Sequence, residues 1–477
     1  MPPRARKQPD DLHRFHRFRG KLGAAGRESP VRFKARIGSH GELELDIHAF
    51  RISKKSWFIR EHWNNDPSGG VPEFTLSGVT DDGLRFESDS LSFLALGERW
   101  SGIHSRHWSK PRGGCAQARF LRSLDPPLDR PLMKLHLKGF ECFPALHAEC
   151  ALGAVQVGGA TKLKNADELT GVILIQGPKK LEDVDDWRRE SERLVEHLRR
   201  YLSFASSTML HAPVLEVAVA DTLEIEVLSQ GRQDPPVMRV FHKLDQRALQ
   251  EAALASFFEP RVEAKNLYFA IEWFSMASSY DEVRLVNAMT ALENLIDSNL
   301  PQDEAIIEPK REFARTRKAL RKVIKACIAK WPLPKAELVV EELDERLADL
   351  NRRSLRRKLY RLAALWEVPL DGISDEQIRH AIGARNAIVH TGKHPEVEDG
   401  PDLWARMTIV RELVVRFLLT AMGFRGQYIS HFGGYHFAHF PPADEPPASL
   451  LLDDPQSGSG RASNSGTPSP AENASGN

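Results

Sequence analysis

Cysteine is scarce in this 477-residue chain: Cys115, Cys142, Cys150 and Cys327 are all there is. Four scattered thiols do not staple a chain of this length, and they fit a reducing compartment better than a secretory route. No apolar run reaches the roughly 20 residues that span a bilayer. The longest candidate, Leu413 to Phe424, is broken by Arg416. The N-terminus is basic but lacks the apolar stretch of a signal peptide, so a cytoplasmic location is expected. A dominant charge sign is missing too: 66 Lys and Arg against 65 Asp and Glu leave a net charge of +1. Overall charge therefore names no partner. There is no Walker A motif, no GxGxxG after a strand, no GxSxG and no HExxH, which points away from nucleotide-driven and serine-hydrolase mechanisms.

What is present is ordinary globular material: 41% of residues are hydrophobic and 27% charged. This length accommodates two or three domains. Residues 1–30 are rich in Arg, Lys, His and Pro, with Phe15 and Phe18 interleaved, and read as a loose basic arm. From residue 31 to about 230 the pattern is mostly period two. Val31, Phe33, Ala35 and Ile37 alternate with polar residues, as do Leu43, Leu45 and Ile47, then Phe74, Leu76 and Val79. Short strands with turn signals between them predict a sandwich or barrel-like β region. One helix interrupts it, Val184 to Phe204, before the strand pair Val214 to Val219 and Leu223 to Leu228. The region is α+β, with a subdomain split placed near Thr170. From about residue 244 helical periodicity takes over, with helices expected at 245–257, 262–279, 281–298, 309–330, 336–347, 353–366, 375–390 and 402–422. The all-α region is expected over 244–440. Residues 441–477 are rich in Pro, Ser and Gly and read as disordered.

The segment 375–390 is the most informative. Ser374 and Gln377 form a capping box, with Asp375 and Glu376 in the first turn and Gly392 as the C-terminal stop. Ile378, Ala381, Ile382, Arg385, Ile388 and Val389 form one stripe. Arg385 thus falls in an apolar face, where an arginine is costly unless paired. Asn386 and His390 stand four apart on the flank. On the previous stripe Val286, Met289, Glu293 and Ile296, a carboxylate is turned inward in the same way. Glu293 paired with Arg385 would satisfy both, and Glu272 is a weaker candidate for that job.

An arginine, a polar residue, three more positions and a histidine on a late helix of an all-α region resemble the catalytic motif of the HEPN ribonuclease superfamily. The surrounding helices, with Thr290-Ala291-Leu292-Glu293, Leu350 to Leu359 and Leu403 to Met422 followed by Gly423 to Tyr428, resemble the HEPN domain of ApeA-type anti-phage defence proteins. The resemblance implies a dimer whose motifs face each other, RNA as substrate with transfer RNA among the candidates, a phage component as trigger, abortive shutdown of translation, and no cofactor. It assigns catalysis to Arg385, Asn386 and His390; Glu293 joins them as the group that would orient Arg385, with a structural pair or a simple boundary glutamate as the alternatives.

The residue types fit that chemistry. Cleavage of RNA by its own 2′-hydroxyl needs a proton removed there, a proton delivered to the 5′-oxygen, and charge stabilised at phosphorus. An imidazole titrates in the working range, and a guanidinium offers a fixed fork to phosphate. The bland alternative makes Arg385 a structural ion-pair partner and His390 a C-terminal cap on its own helix carbonyls. The chain is then a silent dimerisation or binding module. A third alternative, an N-terminal ligand-binding region, requires an apolar pocket between strands 31–80 and 170–228. Two basic stretches are candidate RNA contacts: Arg311, Arg315, Lys318 and Lys322, opposite Phe313, Leu320, Ile324 and Cys327, and the denser run Arg352, Arg353, Arg356, Arg357 and Lys358. Either is equally a solvated helix face. Cys142, His147 and Cys150 lack the spacing of a standard zinc site. His431, His436 and His439 read as loop packing.

Overall fold

A computed structural model describes residues 11–53, 56–64, 72–101, 106–330, 336–392 and 402–442. The N-terminal half is built on strands β1 (His16–Ala24), β2 (Arg27–Ile37), β3 (Leu43–Ile47) and β4 (Phe50–Ile52), the short helix α1 (Trp57–Asn64), and β5 (Glu73–Val79), β6 (Arg85–Ser101), β7 (Arg106–Cys115) and β8 (Gln117–Ser123). There follow β9 (Leu132–Lys138), β10 (Leu146–Cys150), β11 (Gly153–Gly158), β12 (Leu169–Gln176), the long helix α2 (Val184–Ser206), β13 (Val214–Val219) and β14 (Thr222–Leu228). All fourteen strands join one sheet, ordered β10-β11-β12-β9-β13-β14-β8-β6-β5-β1-β2-β3, with β7 on β6 and β4 on β7. Every pairing between these strands is antiparallel.

Two expectations need correction here. The loose arm gives way to structure from His16 onward. Phe18 and Leu22 alternate into the core and hold β1 between β2 and β5, so a basic composition on the outer face masked a buried strand. The subdomain split near Thr170 falls inside β12, which is laddered to β9 and β11 and cannot be a boundary. The cores do not divide along the sequence, since Val214, Ile225 and Val227 pack with the first strands. One cluster gathers Phe18, Phe33, Phe74, Phe86, Phe93 and Phe120, and another begins at Met133.

That second core runs without a break into the C-terminal half. The helices are α3 (Gln246–Phe258), α4 (Leu267–Ser275), α5 (Asp281–Asn299), α6 (Lys310–Ile328), α7 (Ala336–Asp349), α8 (Leu355–Trp366), α9 (Asp375–Thr391) and α10 (Leu403–Met422). Leu194, Leu198 and Phe204 of α2 share a cluster with Leu249, Phe274, Leu292 and Leu413. A hairpin, β15 (Gly426–Ser430) and β16 (His436–Phe440), closes the described chain, where loop was expected after the last helix of an all-α region. Glu412 of α10 pins it by accepting from Tyr428 Oη and, at 2.9 Å, from Ser430 Oγ. Arg416 is absorbed in the same place. It pairs with Glu412 at 2.9 Å and donates to the carbonyl of Asp371 at 2.8 Å. Among the described residues no helix is long and apolar enough to cross a membrane. Residues 443–477, where disorder was expected, lie outside the described residues.

Candidate functional site on α5, α8 and α9

The end of α9 is fixed at both termini. Ser374 accepts from the Gln377 backbone N–H at 3.2 Å, and Gln377 Oε1 accepts from the Ser374 N–H at 2.8 Å, completing the capping box. Gly392 stops the helix at φ 69°, a conformation glycine adopts without strain. The buried seam is narrower than the sequence stripe: Ile378, Ala381 and Ala384 are buried, whereas Val389 is 52% exposed. Arg385 therefore stands at the edge of the seam rather than in its middle.

At that edge it meets α5. Arg385 Nη2 donates to Glu293 Oε2 at 2.7 Å, and Nη1 to Asn386 Oδ1 at 3.1 Å. Both partners of the ion pair keep about a quarter of their side-chain surface in water, at 24% and 28%. Burial pushes the Glu293 carboxyl above its usual range; Arg385 opposes that shift, Asp297 adds to it and Lys358 opposes it. Lys358 of α8 binds Asp297 at 2.8 Å, so α5, α8 and α9 share one charged network. Asn386 and His390 are exposed on the last two turns of α9. The imidazole is not packed under its own helix end, and the last-turn carbonyl of Ala387 is instead taken by Thr391 Oγ1 at 2.7 Å. Glu272 is occupied elsewhere, by Arg200 of α2, which removes it as a partner for Arg385.

Among the candidate RNA contacts, Arg311, Arg315, Lys318 and Lys322 are exposed along α6. The dense run is more committed to structure than its charge suggests. Arg356 is clamped to Asp375 at the start of α9, Arg352 lies 3.5 Å from Asp349, and Lys358 holds Asp297. Arg353 gives its backbone N–H to the Ala305 carbonyl at 3.0 Å, and Arg357 is exposed. Cys142 is buried and accepts from Gln250 at 3.1 Å, while His147 is exposed on β10. Among the described residues no cluster of metal-ligating side chains is gathered. His431 lies against the Arg239 carbonyl at 3.2 Å, and His436 and His439 are exposed on β16.

The third alternative called for an apolar pocket between strands 31–80 and 170–228, and a concavity with both apolar and charged lining lies between those segments. A cavity of about 1540 Å³ opens in the N-terminal sheet between the β2–β3 end and the face of β9, β13 and β14. Its floor includes Phe120, Val214 and Ile225. Its walls carry the pairs Arg36–Glu44 at 2.8 Å and His136–Glu216 at 2.7 Å. The His136 and Lys134 hydrogen bonds outweigh burial and hold the Glu216 carboxyl down at about 2. The signal was the period-two alternation of β9 and β13, whose polar faces meet across neighbouring strands.

Residues 286–428 match the family model for the Apea-like HEPN domain. No curated protein and no solved structure matched the chain.

Proposed function

We propose that this chain, which carries an Apea-like HEPN domain over residues 286–428, is a metal-independent endoribonuclease of anti-phage defence, cytoplasmic, and controlled by its N-terminal region. The observation that carries the reading is the Arg385–Glu293 pair. It fixes a guanidinium at 2.7 Å from its anchor, one residue from exposed Asn386 and five from exposed His390. Anchoring Arg385 on one side lowers the entropy of presenting its remaining N–H groups to a phosphate. His390 takes the proton from the 2′-hydroxyl. The freed oxygen attacks phosphorus, the P–O5′ bond breaks, and an imidazole returns a proton to the 5′-oxygen, leaving a 2′,3′-cyclic phosphate. Asn386 orients the phosphate or the imidazole.

Five residues along a helix turn about 140° and advance about 7.5 Å, so one α9 aims Arg385 and His390 apart. HEPN domains generally dimerise and bind RNA. A second chain that brings its own α9 across a two-fold axis would place the arginine of one copy opposite the histidine of the other. Homodimerisation thus belongs to the mechanism. Arg311 and Arg315 at the start of α6, and Arg357 on α8, all exposed, are the side chains proposed to track the RNA backbone.

The test is cleavage of a mixed RNA pool with EDTA present, comparing the wild type with His390→Ala and Arg385→Ala at matched melting temperature. Loss of cleavage in both variants, with cyclic-phosphate ends from the wild type, is expected. Equal cleavage by all three overturns the assignment. The alternative of a silent module is favoured by one observation, the large N-terminal cavity, which gives the chain a concave surface remote from α9. It predicts ligand binding with no cleavage under any condition.

A further inference from the structure

Helices α6 and α7 stand apart from the bundle as a hairpin. At its base Asn351 is buried, and it accepts the Glu308 N–H at 2.8 Å while donating to the Glu308 carbonyl at 2.9 Å. The Ile307 N–H meets the Asn351 carbonyl at 2.8 Å, zipping the two legs together. Further out, Arg317 of α6 reaches Asp344 of α7 at 3.1 Å, and Arg321 reaches the same carboxylate at 3.5 Å. Contacts of 307 with 351 and 317 with 344 make the helices antiparallel.

Their charges are opposite. Over Lys310–Ile328, α6 has eight cations and one carboxylate; over Ala336–Asp349, α7 has six carboxylates and one arginine. Only a few of these charges are spent on the seam. Taking Arg317 and Asp344 as the seam, at about 100° per residue Lys318, Lys322 and Lys325 lie roughly 80–140° around α6. By the same count Glu341 and Glu345 lie roughly 60–100° around α7 in the same sense, with Leu338 close by. In an antiparallel pair the same sense means the same side. The hairpin therefore has one flank that is basic along α6 and acidic along α7. Lys318, Lys322, Glu341 and Glu345 are all exposed, and Leu338 among them is 56% exposed.

We propose that this flank is a self-association surface whose occupant is the same flank of a second copy of this chain. A two-fold axis lying in the contact plane and parallel to the helices lays α6 of each hairpin on α7 of the other, the condition for an isologous interface. It makes a four-helix arrangement that pairs both charge rows and buries two copies of Leu338. A nucleic acid meets this surface less well, because the carboxylates of α7 stand beside the cations it would contact. The contact is separate from the facing of the two α9 helices and does not depend on nuclease activity.

Sedimentation of the full chain at low salt tests it, with Lys318→Glu/Lys322→Glu as one variant and Glu341→Lys/Glu345→Lys as the other. Each variant alone has a like-charged flank, and each is expected to drop to a lower mass class than the wild type. Mixing the two is expected to restore the wild-type class, because the acidic α6 of one variant then faces the basic α7 of the other. Wild-type mass in either variant alone, or no recovery on mixing, overturns the proposal. So does loss of RNA binding by the α6 variant at unchanged mass, which assigns the face to RNA. Circular dichroism establishes that the hairpin is folded in every sample, and no arm depends on cleavage activity.

Discussion

A charged side chain at the edge of a packed seam is informative because its environment sets what it can do. Glu293 is such a group. Half-burial raises its proton affinity, and the nearby Arg385 guanidinium only partly reverses this. A carboxylate whose folded affinity is raised costs folding free energy when ionised, and that cost disappears as pH falls through its folded pKa. Glu293→Gln is therefore expected to leave the melting temperature at pH 8 within a few degrees of wild type, since a partly exposed pair is worth about 0–1 kcal/mol. Its effect belongs to catalysis: Arg385 loses its anchor, and kcat is expected to fall at least about tenfold while KM for RNA changes less than about threefold. The pH profile separates positioning from mere structure. Protonation of Glu293 releases Arg385 on the acid side, at a pH above the ordinary glutamate range, and the Gln variant should lack that limb. An acid limb unchanged in Glu293→Gln would show that another group sets it. This pair was legible from sequence because both charges broke an apolar stripe. The engagement of Arg356 with Asp375 was not, because periodicity shows a charge but not its distant partner.

Helices were the readable elements. The expected spans 281–298 and 375–390 meet observed Asp281–Asn299 and Asp375–Thr391, since long amphipathic periods and a capping box leave little freedom. The short hairpin β15–β16 was hidden by length and by Gly433-Gly434 between its strands. On the apolar face of α6, Leu320 and Cys327 are exposed; a period reports an apolar face whether or not anything covers it. How elements lock together is equally invisible in a single segment. His197 of α2 shows this. Its Nε2–H donates to the Ala253 carbonyl of α3 at 2.9 Å, and its Nδ1 accepts from Tyr268 Oη of α4 at 2.7 Å. That arrangement suits a neutral ring, and burial lowers its pKa to about 4. The unfolded ring takes a proton near pH 6.5, so this stability is complete above that pH and is lost as pH falls toward 4, on the order of 3 kcal/mol. His431, also lowered by burial, acts in the same sense. Melting curves between pH 7 and 4 should show a decline in the wild type that is clearly shallower in His197→Gln, whose amide can keep both bonds without gaining charge. Parallel declines would place the acid sensitivity elsewhere.

At the scale of the molecule, the boundary that composition suggests is not the boundary that packing obeys. Period-two pattern ends near residue 230 and helical pattern begins near 244, which invites a cut between a β half and an α half. The cores divide otherwise. Trp187, Leu194, Leu198, Tyr201 and Phe204 of α2 are nearly fully buried in the cluster that holds Leu249, Ala270, Phe274 and Leu413, and Arg411 of α10 donates to Ser207 at the end of α2 and sits 4.1 Å over the Phe274 ring. Removing α2 would uncover that apolar face and strand Arg411 without its serine, when burial already lowers its pKa to about 9. A chain begun at residue 244 is therefore expected to aggregate or melt far below the full chain, even though the family match begins later, at 286. A chain nicked by protease in the turn at 231–236 should behave differently. Its two pieces should co-elute and melt as one, because α2 remains in place. If the chain begun at 244 proved monodisperse and melted with the full-length protein, α2 would be a docked accessory. Control of the site by the N-terminal region would then have to pass through contacts other than this shared core.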